Sequence, residues 1–120
     1  MKGHSILLAV IFGLVAWAAS NDGASGKQIF ERRCAGCHAL DSEKTGPRLR
    51  GVYGRTAASL PMFPYSDSLR KSGIHWDSVS LDRFLTDPDI FVPDTDMAFR
   101  VANPGERAAV IEYLKEVSRT

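Results

Sequence analysis

The residues of this chain whose types and spacing most clearly specify chemistry are two cysteines and the histidine that follows the second. Cys34, Cys37 and His38 form the pentapeptide CAGCH at residues 34–38. Each thiol can form a thioether bond to one edge of a porphyrin, and the adjacent imidazole is then close enough to the plane to bind the iron. The motif therefore predicts one covalently attached haem c.

Two other uses of paired cysteines fit this spacing less well. A redox-active dithiol is expected inside a β-α-β pattern, which the sequence lacks. A zinc site needs four ligands, and because the chain has two cysteines, His75 and carboxylates would have to complete it. Haem attachment is the favoured interpretation.

The second axial position of the iron decides between two kinds of chemistry. A sixth ligand from the protein favours electron transfer, whereas an open position favours gas binding or peroxide chemistry. The candidate ligands are His75, Met62 and Met97. Since a methionine more commonly fills a gap in an apolar core, the residue types alone leave this choice open.

The N-terminal residues carry the features of an export signal. Lys2 and His4 precede an uncharged run over residues 6–19, which is shorter than a comfortable membrane span. Ala16 and Ala18 form the small-x-small pattern of a cleavage site. We therefore expect residues 1–19 to be a secretory signal peptide and residues 20–120 to be the mature domain. The alternative is an uncleaved anchor helix.

Length and charge restrict the classes of function further. A chain of 120 residues is long enough for one domain. Loss of Lys2 with the signal would reduce the 15 basic residues to 14, equal to the 14 acidic ones. This balance does not indicate binding to nucleic acid or to anionic lipid. We expect a monomer without stable membrane insertion once the signal is removed.

Short helices joined by turns are expected to position the motif. Residues 25–28 (SGKQ) have the form of a capping box, and Asn103 before Pro104 is a second helix start. Further short helices are expected within residues 66–73 and after Asp87, and no alternating strand pattern appears. Apolar side chains recur with helical spacing at two places: Leu81, Phe84 and Leu85, a stripe that Pro88 ends, and Val110, Tyr113, Leu114 and Val117.

From residue 26 onward the chain resembles the class I cytochromes c, particularly the mitochondrial and cytochrome c2 branch. The resemblance implies an all-α cytochrome c fold, in which several short helices wrap around one covalently bound haem and the N- and C-terminal helices cross. The matching blocks follow the family's order: CAGCH at 34–38, KTGP at 44–47, Gly54-Arg55, Phe63-x-Tyr65, Gly73-x-x-Trp76 and VPxTxMxF at 92–99.

The resemblance also assigns the iron ligands and their surroundings. It implies His38 and Met97 as the two axial ligands, which would raise the reduction potential relative to histidine alone. The carbonyl of Pro47 would accept the imidazole N–H of His38. Thr95 and Phe99 flank Met97, and Phe99 would cover the exposed haem edge. The alternative for Met97 is a core side chain without contact to iron.

Three residues are implied as donors to the haem propionates. Arg55, Tyr65 and Trp76 each carry the required N–H or O–H group. The alternative is that Trp76 is a core aromatic and Arg55 a surface charge. Leu69 and Phe84 replace polar residues of the family, so we expect a drier pocket near Met97 and a raised potential.

The function implied by the resemblance is that of a soluble periplasmic single-electron carrier, not an enzyme. It would make transient contacts with redox proteins, linking a donor complex or dehydrogenase to a terminal oxidase, reductase or reaction centre. The alternatives are a haem c subunit of a dehydrogenase complex and a ligand-binding or peroxidase-type haem protein. Asp89, Asp94 and Asp96 stand where mitochondrial relatives tend to carry lysine or glycine, which weakens attraction to an acidic partner.

Overall fold

A computed structural model describes residues 2–6, 9–11, 13 and 25–119. Across these ranges strand pairing is limited to one isolated antiparallel bridge between Thr56 and His75, so the expected all-α class is confirmed. The helices are α1 (Gly26–Ile29), which a π-helical turn (Phe30–Cys34) continues, α2 (Asp67–Lys71), α3 (Ser78–Thr86), α4 (Pro88–Phe91) and α5 (Pro104–Val117).

The first and last helices begin at the caps that the sequence predicts. The Ser25 side chain accepts from the Gln28 amide at 3.2 Å, and the Gln28 side chain accepts from the Ser25 amide, which completes the capping box. At α5, Asn103 Oδ1 accepts from the amide of Glu106 at 3.0 Å. Both helix starts are confirmed, because each is fixed by local hydrogen bonds that the sequence encodes directly.

The middle helices also follow the local signals. α2 lies within residues 66–73, as predicted. The α3 stripe of Leu81, Phe84 and Leu85 is buried. Asp87 ends α3 and caps α4 through Ile90 N at 3.3 Å. Pro88 therefore separates two helices, as its fixed φ and missing N–H require.

The crossing of α1 over α5 confirms the predicted helix contact. Gly26 lies so close to α5 that a Cβ atom there would overlap the carbonyl oxygen of Ala109. The rings of Phe30 and Tyr113 pack beside this crossing with centroids 5.6 Å apart. The most deeply buried large side chains are Ile29, Val92, Val101, Val110 and Pro88.

The π-helical turn is a feature that the sequence does not predict. The amide of Ala35 donates to Phe30 O at 2.9 Å, a bond to the fifth residue back instead of the fourth. Apolar periodicity cannot distinguish this turn from an α-helical one, because a single wide turn is shorter than one repeat of the pattern. Such turns occur often at functional sites, and this one ends at the first cysteine.

The proposed signal peptide is described only in part. Residues 2–6, 9–11 and 13 are exposed, while Ala16, Ala18 and the expected cleavage position lie outside the described residues. Among the residues that the structure does describe, no helix combines the length and the apolar character needed to cross a membrane.

Candidate functional site

The two thiols and the imidazole of CAGCH come together on one tight turn. The amides of Cys37 and His38 both donate to Cys34 O, at 3.1 and 2.8 Å. Cys34 is half-buried and Cys37 is exposed. Burial raises the pKa of the Cys34 thiol to about 11, against the opposing influence of the neighbouring Arg33. The first thiol therefore faces an apolar interior and the second lies at its rim.

The imidazole of His38 is oriented by a backbone carbonyl. Its Nδ1 lies 2.7 Å from Pro47 O. Because a carbonyl oxygen only accepts, Nδ1 carries the hydrogen and the lone pair of Nε2 is left to bind a metal. Burial, together with the nearby Lys44, lowers the pKa of His38, while the hydrogen bond to Pro47 opposes that shift. The ring is thus held in the neutral form that ligates iron.

Two residues of the KTGP block support this geometry through contacts that the sequence does not reveal. A Cβ atom on Gly46 would overlap the ring of His38, so only glycine allows the chain to pass there. Lys44 Nζ donates to Ala35 O at 2.8 Å, inside the CAGCH turn. The signal that could have identified them is their position beside Pro47 in the same short block.

An ion pair links the cysteine turn to the last helix. Arg33 Nη2 lies 3.2 Å from Glu106 Oε2. That oxygen is buried and makes no aligned hydrogen bond among the described residues, so the contact is electrostatic. Glu106 also occupies the first turn of α5, where the helix dipole favours a carboxylate. Arg33 is therefore engaged within the molecule and is not a free surface cation.

The structure brings the three predicted propionate donors into one neighbourhood. The amide of Trp76 donates to Arg55 O at 2.9 Å. Burial lowers the pKa of the Arg55 guanidinium, and Tyr65 lies close enough to oppose that shift. Arg55 Nη2 donates to Arg48 O at 3.1 Å. Arg55 is thus a half-buried group with a fixed side chain, in contrast to the alternative of a surface charge.

Trp76 also fits the alternative that it is a core aromatic residue. Its side chain is buried, and its ring packs on Phe84 with centroids 5.2 Å apart. A ring in this position contributes to the core whether or not its indole N–H binds a propionate. Leu69 is half-buried against the same core, so both apolar replacements noted in the sequence face the interior.

Met97 lies in a segment whose beginning and end are held close together. In this methionine segment, residues 87–101, the amide of Val101 donates to Leu85 O at 2.9 Å, and Arg100 Nη2 lies 3.2 Å from Asp87 Oδ2. Met97 is half-buried against the core. The amide of Thr95 donates to Val92 O at 3.1 Å and forms a turn in which Asp94 has a positive φ of 61°.

The remaining candidate residues, Phe99, Met62 and His75, lie nearer the solvent than Met97. Phe99 is 42% exposed and Met62 is 88% exposed. The side chain of His75 is exposed as well. Of the candidate iron ligands, Met97 alone is packed against the core in the described residues.

The residues present fit a covalently bound haem. Two thiols, a neutral imidazole with a free Nε2 and a half-buried thioether form a donor set that suits iron in a porphyrin. Apolar side chains from widely separated parts of the chain are only half-covered and adjoin the core, as the lining of a flat apolar group requires: Leu40, Leu49, Leu69, Ile74 and Phe91. Arg55 supplies a half-buried basic group that could pair with the carboxylates of a haem.

Similarity to known proteins agrees with this geometry. The sequence profile of the family described as cytochrome c matches residues 23–118. The chain is 39% identical to "Cytochrome c type-1" of Ascaris suum, over 79% of this chain and 88% of that protein. It is 44% identical to "Cytochrome c2 iso-2" of Magnetospirillum fulvum, over 70% of this chain and 91% of the relative.

A solved structure shares the arrangement of helices. Cytochrome cH from Methylobacterium extorquens superimposes with a TM-score of 0.72 at 36% sequence identity. The match covers 76% of this chain and 94% of the other.

Proposed function

Because this chain belongs to the cytochrome c family, we propose that it works as an exported single-electron carrier whose iron is bound by His38 and Met97. Members of this family carry a covalent haem c and transfer electrons without acting as enzymes, and the two cysteines stand at positions 34 and 37 as that attachment requires. The cytochrome c fold is likewise shown by the solved relative.

The chain's own residues perform the positioning. When bound, haem c supplies an iron that alternates between ferric and ferrous states, so one electron is gained or lost without a change in any substrate bond. Cys34 and Cys37 hold the macrocycle, and the Pro47 carbonyl fixes the ring of His38 at 2.7 Å. Rigid ligands suit a carrier because they limit structural change between redox states.

The observation that carries the axial assignment is the half-burial of Met97 against the core, in a segment tied at both ends. Thioether sulfur is a soft donor that favours ferrous iron, so this ligand would raise the reduction potential. Thr95 and Phe99 lie on either side of it, and we assign them to the haem surroundings. Arg55, Tyr65 and Trp76 are assigned to the propionates.

Optical spectroscopy of the holoprotein tests the ligand assignment. The oxidised protein should show the far-red sulfur-to-iron charge-transfer band, and Met97→Ala should abolish it and lower the midpoint potential. Met62→Ala is the matched control, since this side chain is 88% exposed and should leave the band unchanged. A band that survives in Met97→Ala would exclude the assignment, and its absence from the wild type would favour a ligand-binding or peroxidase-type protein.

We also propose that residues 1–19 direct export and that residues 20–120 form the periplasmic domain. The support is the charge and apolar pattern of the N-terminus, which ends in a small-x-small site. Mass spectrometry of the purified holoprotein should give the mass of the shortened chain plus one haem. A full-length mass in a membrane fraction would indicate the anchor instead.

The partners proposed are redox proteins that bind transiently, a donor complex or dehydrogenase on one side and an oxidase, reductase or reaction centre on the other. A freely moving carrier should elute from gel filtration of native extract as a monomer. Co-elution of all the protein with a dehydrogenase would favour a permanent haem c subunit.

A further inference from the structure

The surface of the methionine segment combines exposed apolar side chains with unpaired carboxylates. Ile90 is 79% exposed and Phe99 is 42% exposed. Asp89, Asp94 and Asp96 are exposed and form no ion pair with any described residue. Exposed apolar side chains that are bordered by charged residues indicate a protein–protein contact surface, because such surfaces have an apolar centre and a polar rim.

Asp87 connects the two parts of the segment that carry these apolar residues. One of its carboxylate oxygens accepts from the amide of Ile90 at 3.3 Å, and the other lies 3.2 Å from the guanidinium of Arg100. The backbone amide of Ile90 and the guanidinium of Arg100, the residue after Phe99, therefore meet at a single carboxylate. The acidic face, as we define it, consists of Asp89, Ile90, Asp94, Asp96 and Phe99.

Charge is distributed unevenly between this face and the remainder of the chain. Residues 87–100 contain four aspartates and one arginine, a net charge of −3. The other residues between 25 and 119 contain thirteen basic and nine acidic side chains, a net charge of +4. Two of the cations near the cysteines are occupied internally, Arg33 by Glu106 and Lys44 by Ala35 O. The methionine side thus has a charge opposite to that of the rest of the domain.

We propose that the acidic face is the docking surface for a redox protein that presents an apolar contact centre bordered by lysine or arginine. The proposal rests on the proposed function, because it places the partner over the segment that carries Met97. Charge complementarity selects the partner: carboxylates around apolar side chains attract a basic rim and repel an acidic one. Attraction of this kind mainly sets the rate of encounter and the orientation.

A small cation of matching chemistry can probe the face without the partner. Tris(1,10-phenanthroline)chromium(III) is a paramagnetic trication with an apolar exterior, and with the protein kept oxidised no electron is transferred. At about 10 mM ionic strength, where the screening length is roughly 30 Å, the chromium complex should broaden the amide resonances of residues 89–92 and 94–99 before all others. Addition of salt to about 1 M should weaken this effect, because the screening length falls to roughly 3 Å.

Two triple variants that remove the same number of carboxylates distinguish an effect of the acidic face from an effect of net charge. Asp89→Asn/Asp94→Asn/Asp96→Asn should weaken association of the cation about tenfold at low salt, since each carboxylate near a trication contributes roughly a factor of two to three. Glu31→Gln/Glu112→Gln/Glu116→Gln removes the same charge from exposed positions elsewhere and should change it less than about twofold. Equal weakening in both variants, or broadening scattered over the surface, would overturn the proposal.

A further variant tests the apolar part of the face. Ile90→Thr should weaken binding of the phenanthroline complex about threefold and leave hexaamminechromium(III) unaffected, because only the first complex has an apolar exterior. Equal affinity of wild type and Ile90→Thr for the phenanthroline complex would show that the apolar residues take no part.

Electron transfer gives a second readout. Oxidation of the reduced protein by tris(1,10-phenanthroline)cobalt(III) moves one electron from the protein to cobalt, which becomes cobalt(II). The Asp→Asn triple variant should slow this reaction severalfold and accelerate oxidation by the ferricyanide anion, and the control should do neither. These results are independent of the far-red band. Absence of the band from the oxidised wild type would refute Met97 as ligand. An unchanged ratio of the two oxidation rates, cobalt complex against ferricyanide, in an Asp→Asn triple variant that keeps the band would refute the acidic face.

Discussion

The two sides of the proposed haem site are held in different ways. On the histidine side, backbone hydrogen bonds join the two halves of the cysteine segment, residues 25–50: Gly46 N donates to Cys37 O at 2.7 Å, and Leu49 N donates to Ala39 O at 3.0 Å. On the methionine side, backbone hydrogen bonds within residues 87–101 are short-range up to Thr95, and the next bond is made by Val101 at the end of the segment. In the described part of the chain, the amides of residues 96–100 donate to no protein acceptor.

This difference indicates which of the two proposed iron ligands is positioned by protein contacts alone. The position of His38 is set by close packing and by backbone hydrogen bonds before any iron is considered. The position of Met97 is set by core packing and by the two ends of a loop, so a bond to iron would complete its restraint. Changes on the histidine side should therefore cost more stability than comparable changes on the methionine side.

The largest effect is expected at the helix crossing that anchors the histidine side. Gly26→Leu places a side chain where even a Cβ atom overlaps the carbonyl oxygen of Ala109, and backbone cannot move aside cheaply. We expect the free energy of unfolding of the holoprotein to fall by more than about 4 kcal/mol, measured by urea denaturation. Lys27→Leu, at an exposed position of the same helix, is the control. Similar stability of both variants would show that the crossing is not tight.

The next effect is expected at the ring of His38. Gly46→Ala adds a methyl group that overlaps the imidazole, so overpacking should cost about 1–3 kcal/mol and reduce the fraction of chains that acquire covalent haem. Gly36→Ala is a matched control, because a Cβ atom there meets no atom within 4 Å. Normal haem content and stability in Gly46→Ala would mean that this side is not preformed.

An effect of similar size is expected in the core beside Trp76. Phe84→Tyr introduces a hydroxyl into a buried position against Trp76, which should cost about 1–3 kcal/mol if it finds no partner. The hydroxyl, or a water that it admits, should stabilise the ferric charge and lower the midpoint potential. An electrochemical titration that gives an unchanged or raised potential would contradict the interpretation of a dry pocket.

The smallest effect is expected at the turn beside Met97. Asp94 has a φ of 61°, a conformation that aspartate tolerates better than alanine. Asp94→Ala should lower the free energy of unfolding by less than about 1 kcal/mol, and Asp94→Asn should leave it nearly unchanged. A loss as large as that of Gly46→Ala would remove the distinction between the two sides.

The parts of the fold that can be predicted from the sequence are those that depend on residues close together in the chain. The capping box at Ser25, the Asn103 cap and the break at Pro88 each depend on residues within four positions of one another, so their side-chain chemistry can be recognised in the sequence. The all-α class follows from these elements. The CAGCH motif similarly carries its own chemistry within five residues.

The parts that the sequence does not reveal depend on distant residues or on backbone geometry. The contact of Arg33 with Glu106 joins residues far apart in the chain, and no local pattern indicates it. The fit of Gly46 against the His38 ring requires two loops in their folded positions. The uneven charge of the methionine segment is visible as composition, but the contact between its two ends becomes apparent only when Asp87 is seen to join the Ile90 amide and Arg100.

The π-helical turn before Cys34 means that the number of residues between Gly26 and Cys34 matters as much as their types. The turn sets the angle between the face that carries Gly26 and the direction of the first thiol. Adding one residue without further widening of the turn would rotate every later position by about 100°. Insertions should therefore be rejected between Gly26 and Cys34, even where single replacements at exposed Glu31 or Arg32 are accepted.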